Sequence, residues 1–374
     1  MTRSLHRIRA KPSLPAVLGL ALSLLPQPCL GDEQSPRLRQ YETAVDRAVE
    51  LGLMSLAREQ PGGAGDGSYS DANGKTNGVV GLAGMAFLAK GYRPGVPPYG
   101  DVINRSIDYI LNTESSNGYL GVRGGKMYEH AIATLLMSEV SGMVDPARQQ
   151  RIDIVLPKAL KVILDAQANN PTGAWRYEPT STDADISVTG WNLMALRSAR
   201  LNGAPVPKDA IDKAVRFIDA CRGRGGLRLV DNGRSADDGG FWYTPPQYYA
   251  NRNYWLGGPS TPSRTGVALL CRELAGHHGD EVNRKAGDYI LHNVKARGFL
   301  DGGHVEYATY YCAQGMFQLG GDYWETFAAA MYRHLLAEQQ QDGSWHSDQG
   351  TSYATAMYVL ALSVSYRQLP IYQR

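Results

Sequence analysis

Tyr358-Val359-Leu360-Ala361-Leu362 and Leu193-Met194-Ala195-Leu196 are apolar nearly all round, a pattern that in a helix means cover on every side. Each belongs to a recurring unit of amphipathic helix, glycine-containing turn and second, more uniformly apolar helix. The second helices are expected over Asn77–Lys90, His130–Ser141, Thr189–Leu201, Thr265–Ala275, Thr309–Leu319 and Thr355–Ser365. Their starts lie 53, 59, 76, 44 and 46 residues apart, and the expanded member falls at Gly223–Ser263. First helices such as Ala210-Ile211-Asp212-Lys213-Ala214-Val215-Arg216-Phe217-Ile218 carry one apolar stripe and one wet face. Alternating half-exposed and buried helices build either an open solenoid or a ring with parallel inner helices around a funnel. A solenoid needs polar end caps, and the last repeat closes on apolar Leu369-Pro370-Ile371-Tyr372. The sequence therefore predicts an all-α fold, an α/α toroid of six helical hairpins with every inner N-terminus at one end.

The 374 residues carry a net charge of +2 with no run of one sign, which gives no footprint for nucleic acid. Arg3, Arg7, Arg9 and Lys11 precede an apolar stretch from Leu14 to Leu25, with small Cys29 and Gly31 after it. Residues 1–31 read as a signal peptide and 32–374 as one exported toroid domain, periplasmic or extracellular. Pro26 and Pro28 disfavour a lipid anchor at Cys29. No later segment approaches the ~18 apolar residues of a membrane span. Cys221, Cys271 and Cys312 sit in apolar helical surroundings and read as buried, inert thiols. No P-loop, dinucleotide fingerprint or Ser–His–Asp arrangement appears, so no cofactor is expected.

The junctions share a pattern. Leu335 and Gln339 precede Gly343 and Trp345; Ile163 and Gln167 precede Gly173 and Trp175; Leu56 and Gln60 precede Gly67 and Tyr69. The Gln can bond orphan carbonyls of its helix, Gly can take the positive φ of the exit, and the ring can pack over the next turn. This resembles the Gln–Trp motif of squalene–hopene and oxidosqualene cyclases, with Ala330 and Met331 in place of its Lys/Arg-Gly start.

Asp183-Ala184-Asp185-Ile186-Ser187-Val188 resembles the Asp-x-Asp-Asp-Thr-Ala segment of bacterial triterpene cyclases. The resemblance implies that Asp185 is a general acid and puts Ile186 where the Asp that holds its proton would stand. His130 or a neighbouring Tyr would then have to hold that proton. Asp183, Asp185 and Ser187 are also good N-caps, and the expectation is that Asp183 caps the helix while Asp185 faces the funnel. Tyr307-Ala308-Thr309-Tyr310-Tyr311-Cys312 looks like the zinc-His helix of the protein prenyltransferase β chain. Ala308 replaces the His and Gly303 the Cys, so no metal is expected. Across the chain, Met127-Tyr128-Glu129-His130, Trp175-Arg176-Tyr177, Ser187-Val188-Thr189-Gly190-Trp191 and the closing Leu369-Pro370-Ile371-Tyr372 resemble secreted bacterial squalene cyclase/prenyltransferase-repeat proteins.

The catalytic candidates are thus Asp185, Asp183 and His130. The ligand-binding candidates are Glu129, Trp191, Trp242, Tyr243, Tyr254, Trp255, Tyr307 and Tyr310, four of them from an aromatic-rich expanded loop. Three readings follow: a toroid binding an apolar or isoprenoid-like ligand in its funnel, a cyclase-type enzyme with Asp185 as acid, and a carbohydrate-active or wall-binding barrel.

Overall fold

The computed structural model describes residues 35–60, 65–72, 74–122, 126–223, 239–245, 260–300 and 304–372. The expected signal peptide, Tyr254, Trp255 and Gly303 lie outside them. In chain order the helices are α1 (Pro36–Arg39), α2 (Glu42–Glu59), α3 (Asn77–Lys90), α4 (Gly100–Asn112), α5 (Met127–Val140), α6 (Pro146–Asn169), α7 (Ile186–Leu201), α8 (Lys208–Ala220), α9 (Pro262–Leu274), α10 (Glu281–Arg297), α11 (Val305–Leu319), α12 (Gly321–Glu338) and α13 (Thr351–Leu362). A short antiparallel ribbon pairs Ser70–Asp71 with Gly74–Lys75.

From α2 onward the even-numbered helices are outer and the odd-numbered ones inner. Each inner helix packs on the next, and α13 returns to α3, so the ring is closed. The neighbours run parallel. A Cβ at Gly81 of α3 would stand 2.8 Å from Ile132 of α5, and one at Gly84 would stand 2.7 Å from Leu136. Positions advancing together along both helices define a parallel pair, and the missing side chains let the backbones approach. The outer helices bury a single stripe: in α8, Ala210, Ile211, Ala214, Val215, Phe217 and Ile218 are buried while Lys213 and Arg216 are exposed.

Five of the six inner helices begin about one turn before their expected starts. The residues taken as starts are ties to the preceding loop. Thr189, Thr265 and Thr355 accept, through Oγ1, the backbone N–H of Trp175 (3.3 Å), Phe241 (3.0 Å) and Trp345 (3.1 Å). A side chain can reach back over the first turn only from the second, so the helix must already be under way.

The junction glutamines also act differently from expectation. Each spans two outer helices instead of capping its own. Gln167 Nε2 donates to Gly173 O and to Ala210 O of α8, both at 2.8 Å. Gln339 Nε2 donates to Gly343 O and to Ala48 O of α2, both at 2.9 Å, sewing the last repeat to the first. Gln60 bonds Gly67 O (3.3 Å) and Val102 O of α4 (3.2 Å). The indoles lock each exit, Trp175 Nε1 on Ile163 O (2.8 Å) and Trp345 Nε1 on Leu335 O (2.9 Å). Positive-φ glycines occur at all six junctions, Gly67, Gly118, Gly173, Gly239, Gly298 and Gly343. The sequence pattern revealed three, because Leu120 and Leu300 replace the large ring at two of the others and Phe241 follows the expanded segment, far from the end of its outer helix. At Gly343 the requirement is double, since φ is 88° and a Cβ would lie 2.4 Å from Leu51 O.

The ring is filled. Trp191 stacks on Tyr310 with centroids 5.5 Å apart and meets Tyr311 edge-on at 5.4 Å, and all three are essentially inaccessible. The opposite end is plugged by the chain's own 3-10 turn Pro370–Tyr372. There Tyr372 OH pairs with Tyr310 OH, Gln318 Nε2 donates to Tyr372 O (2.9 Å), and Ile371 N donates to Glu139 Oε2 (3.5 Å). Cys221, Cys271 and Cys312 are buried free thiols. Among the described residues no helix is long and apolar enough to cross a membrane.

Candidate functional site

The six inner N-termini meet at one mouth, and Asp185 sits at its edge as the N-cap of α7. Its backbone is pinned on both sides: Asp185 N donates to Trp175 O (3.0 Å) and Ile186 N to Tyr243 O (2.9 Å). Oδ1 accepts the N–H groups of Ser187 and Val188, both at 2.9 Å. The expectation for the two acids is therefore corrected. Asp185 is the cap, and Asp183 is a largely exposed residue whose carboxylate lies 3.9 Å from Arg176 Nε. The cap falls two residues later because α7 starts at Ile186, where Tyr243 O takes the first amide.

Asp185 is fully buried, and its Oδ2 has no hydrogen-bond partner among the described residues. Arg176 Nε is 3.6 Å away, close enough for attraction. Desolvation nevertheless outweighs the two amide bonds, Arg176 and the nearby Tyr243 hydroxyl, and the carboxyl is pushed up to about 6. A buried carboxylic acid that keeps its proton near neutral pH is a chemically capable group.

Tyrosines surround it. Tyr128 of α5 and Tyr307 of α11 face Ser187 and Asp185, and burial raises both phenols. Tyr177 and Tyr243 share a hydroxyl contact of 2.8 Å. Arg176 lies over both of their rings, at 4.7 and 5.2 Å. Arg264 faces Tyr243 at 5.3 Å and Lys126 faces Tyr177 at 4.4 Å. Tyr307 OH and, beneath it, Tyr311 OH are buried with no hydrogen-bond partner among the described residues.

Tyr243 and Tyr307, two of the ligand-binding candidates, stand beside Asp185. Trp191 and Tyr310 form the floor. Trp242 is half-buried, its backbone N–H donating to Cys221 O at 2.9 Å. Two candidates are structural. Glu129 caps its neighbours, Oε1 accepting Asn77 N (2.5 Å) and Oε2 accepting Val122 N (3.2 Å). His130 occupies the repeat position held elsewhere by the tying threonines: Nδ1 accepts Leu120 N (3.0 Å), so Nε2 is the donor to Ala159 O (3.1 Å). Burial lowers it to about 4, so it stays neutral and away from Asp185's proton. Sequence reasoning passed over Arg176, Tyr177, Tyr128 and Tyr311 as site residues. The signal was present: Tyr128, Ser187, Tyr307 and Tyr353 each lie in the first turn of an inner helix, once those helices are started one turn earlier. No cluster of three or more metal-ligating side chains occurs among the described residues.

No family model and no curated protein matches this sequence. Solved structures do match in fold. An inactive variant of an α-1,6-mannanase from Salegentibacter sp., in complex with α-1,6-mannotriose, has a TM-score of 0.60 at 10% identity, covering 86% of this chain and 99% of that one. A variant of the type II terpene cyclase MstE from Scytonema, in complex with its substrate geranylgeranyl dihydroxybenzoate, has a TM-score of 0.56 at 14% identity, covering 89% and 99%. A protein from Actinoplanes has a TM-score of 0.51 at 12% identity, covering 86% and 98%. The chain is an α/α toroid, similar in architecture to a terpene cyclase and to a glycoside-cleaving barrel alike.

Proposed function

We propose that the protein binds a hydroxylated ring ligand of the carbohydrate class at the tyrosine-lined mouth, with Asp185 as its central polar contact. One observation carries this reading: Asp185 Oδ2, Tyr307 OH and Tyr311 OH are three buried polar atoms in one place without a hydrogen-bond partner among the described residues. Leaving such a group unpaired costs about 1–3 kcal/mol, so a cluster of them suits a ligand that brings hydroxyls. Flat Tyr177 and Tyr243 suit the apolar faces of a sugar ring. The same architecture holds α-1,6-mannotriose in the Salegentibacter enzyme. Export of a mature chain from about residue 32, read from the basic and apolar N-terminal stretch, fits a glycan ligand as well.

A second reading, protonation of an isoprenoid by Asp185, draws on the proton that this carboxyl retains near pH 6. It requires room where Trp191, Tyr310 and Tyr311 are now packed, and so a displaced floor. Calorimetric titration with neutral oligosaccharides, geranylgeraniol and squalene separates the two. Saccharide binding weakened roughly tenfold by Tyr307→Phe, the value of one lost hydrogen bond, supports the first. Binding or turnover of the polyprenes alone would replace it with the second.

A further inference from the structure

The charges around the mouth say more about the ligand. Lys126, Arg176 and Arg264 all stand over the Tyr177–Tyr243 pair. Beside Arg176 stand Asp183 at 3.9 Å and Asp185 at 3.6 Å, neither within hydrogen-bonding reach of its Nε. Glu129, the next carboxylate along the rim, is engaged by the amides of Asn77 and Val122. The N-termini of α5, α11 and α13 carry no side-chain cap; α5 and α11 have Glu129 and Glu306 in their first turns, whereas α13 has no acid in its own, so its partial positive charge also points at the mouth. The Arg176 guanidinium is mostly buried and stands over the rings of Tyr177 and Tyr243, a preorganised receptor for an oxyanion, and Asp185 Oδ2, without a hydrogen-bond partner among the described residues, lies 3.6 Å from its Nε.

We propose that the ligand is an acidic sugar, whose carboxylate or phosphate is received by Arg176 with Lys126 beside it while Asp185 Oδ2 shares the same oxyanion. This rests on the carbohydrate reading above and narrows it. The protonated acid can donate to the oxyanion, whereas the carboxylate repels it, so binding is coupled to a proton. The groups whose charges reach Asp185 are Arg176 and Tyr243 from the loops, Tyr128 from α5, Tyr307 from α11 and Cys221 at the end of α8. The phenols and the thiol are raised and Arg176 is raised, so between pH 5 and 7 Asp185 alone of these changes charge.

The test uses matched probes on the full chain by calorimetry: uronic-acid oligomers against their methyl esters, and sugar phosphates against the parent sugars, at pH 5.0 and 7.5. The expected result is at least a tenfold preference for the charged member at pH 5.0, reduced by added salt. Uronate affinity should fall about tenfold on going to pH 7.5. Arg176→Met should erase the preference and Arg176→Lys restore part of it; in Asp185→Asn, whose amide always donates, uronate binding should lose its pH dependence. A phosphate preference without a uronate preference identifies the oxyanion and still supports the proposal. Equal affinity for charged and neutral members in the wild type overturns it while leaving the carbohydrate reading standing. Binding of neither member overturns both, and because the wild-type comparison decides, misfolding of a variant does not blunt the test.

Discussion

Asp185→Asn keeps the cap of α7, because the amide oxygen can accept the Ser187 and Val188 N–H groups as the carboxylate does, and Asn caps about as well as Asp. What the substitution removes is the buried charge. The carboxyl titrates at about 6 in the fold against an ordinary 3.8, so the folded state holds a proton that the unfolded state has given up. An acid raised on folding contributes full stability below its unfolded value and loses it as pH rises through the folded one. The ionised Asp185 therefore costs about 3 kcal/mol at pH 7.5 and about 1 kcal/mol at pH 4.5. His130 opposes this trend, since, lowered to about 4, it destabilises the fold progressively as pH falls below 6.5, while Glu139, raised by burial to about 7, adds to it, so the wild-type profile sums several groups. The difference between variant and wild type isolates Asp185. Asp185→Asn should melt about 4 °C higher at pH 7.5, with the gain shrinking to about 1 °C at pH 4.5. Thermal denaturation followed by circular dichroism at the two pH values measures it. A variant less stable than wild type at pH 7.5 would show that attraction to Arg176 outweighs desolvation, and the account of Asp185 as a costly, retained acid would fail.

Three further outcomes test the fold. Gln167→Ala and Gln339→Ala each strand two backbone carbonyls and should cost about 2–4 kcal/mol apiece in urea denaturation, whereas an unchanged midpoint would deny the stitching role. Gly343→Ala meets both a positive φ and Leu51 O and should destabilise by several kcal/mol; Gly203→Ala, at φ 87° with open space around it, should cost only about 1–2 kcal/mol. Equal losses at the two sites would show that packing against α2 is not the constraint. His130→Ala should lower stability by about 2–4 kcal/mol by unpairing Leu120 N and Ala159 O, while leaving affinity at the mouth unchanged; a stable variant that no longer binds would return His130 to the site.

The ring itself was legible in the sequence. Apolarity all round one helix and along one stripe of its partner are local facts, and six copies of that pair leave little else to build. The positive-φ glycines at Gly67, Gly173 and Gly343 were legible for the same reason, each being followed by its large ring. The arrangement of the mouth was not. Asp183 and Asp185 cap equally well as residue types, and only the amide of Ile186 meeting Tyr243 O, from a loop many residues away, fixes where α7 starts and which acid it buries. The raised carboxyl is a product of that burial. His130 and Glu129 were both candidates for the site, yet Glu129 is drawn off by Asn77 N of the preceding repeat and His130 by Leu120 N of the loop that leads into its own helix. The filling of the funnel by Trp191, Tyr310 and the returning Tyr372 depends on tertiary packing, since these rings come from the third and fifth inner helices and from the C-terminal turn. Local periodicity sets which faces are buried; contacts between residues distant in sequence set which polar atoms are left without a partner, and with them the site.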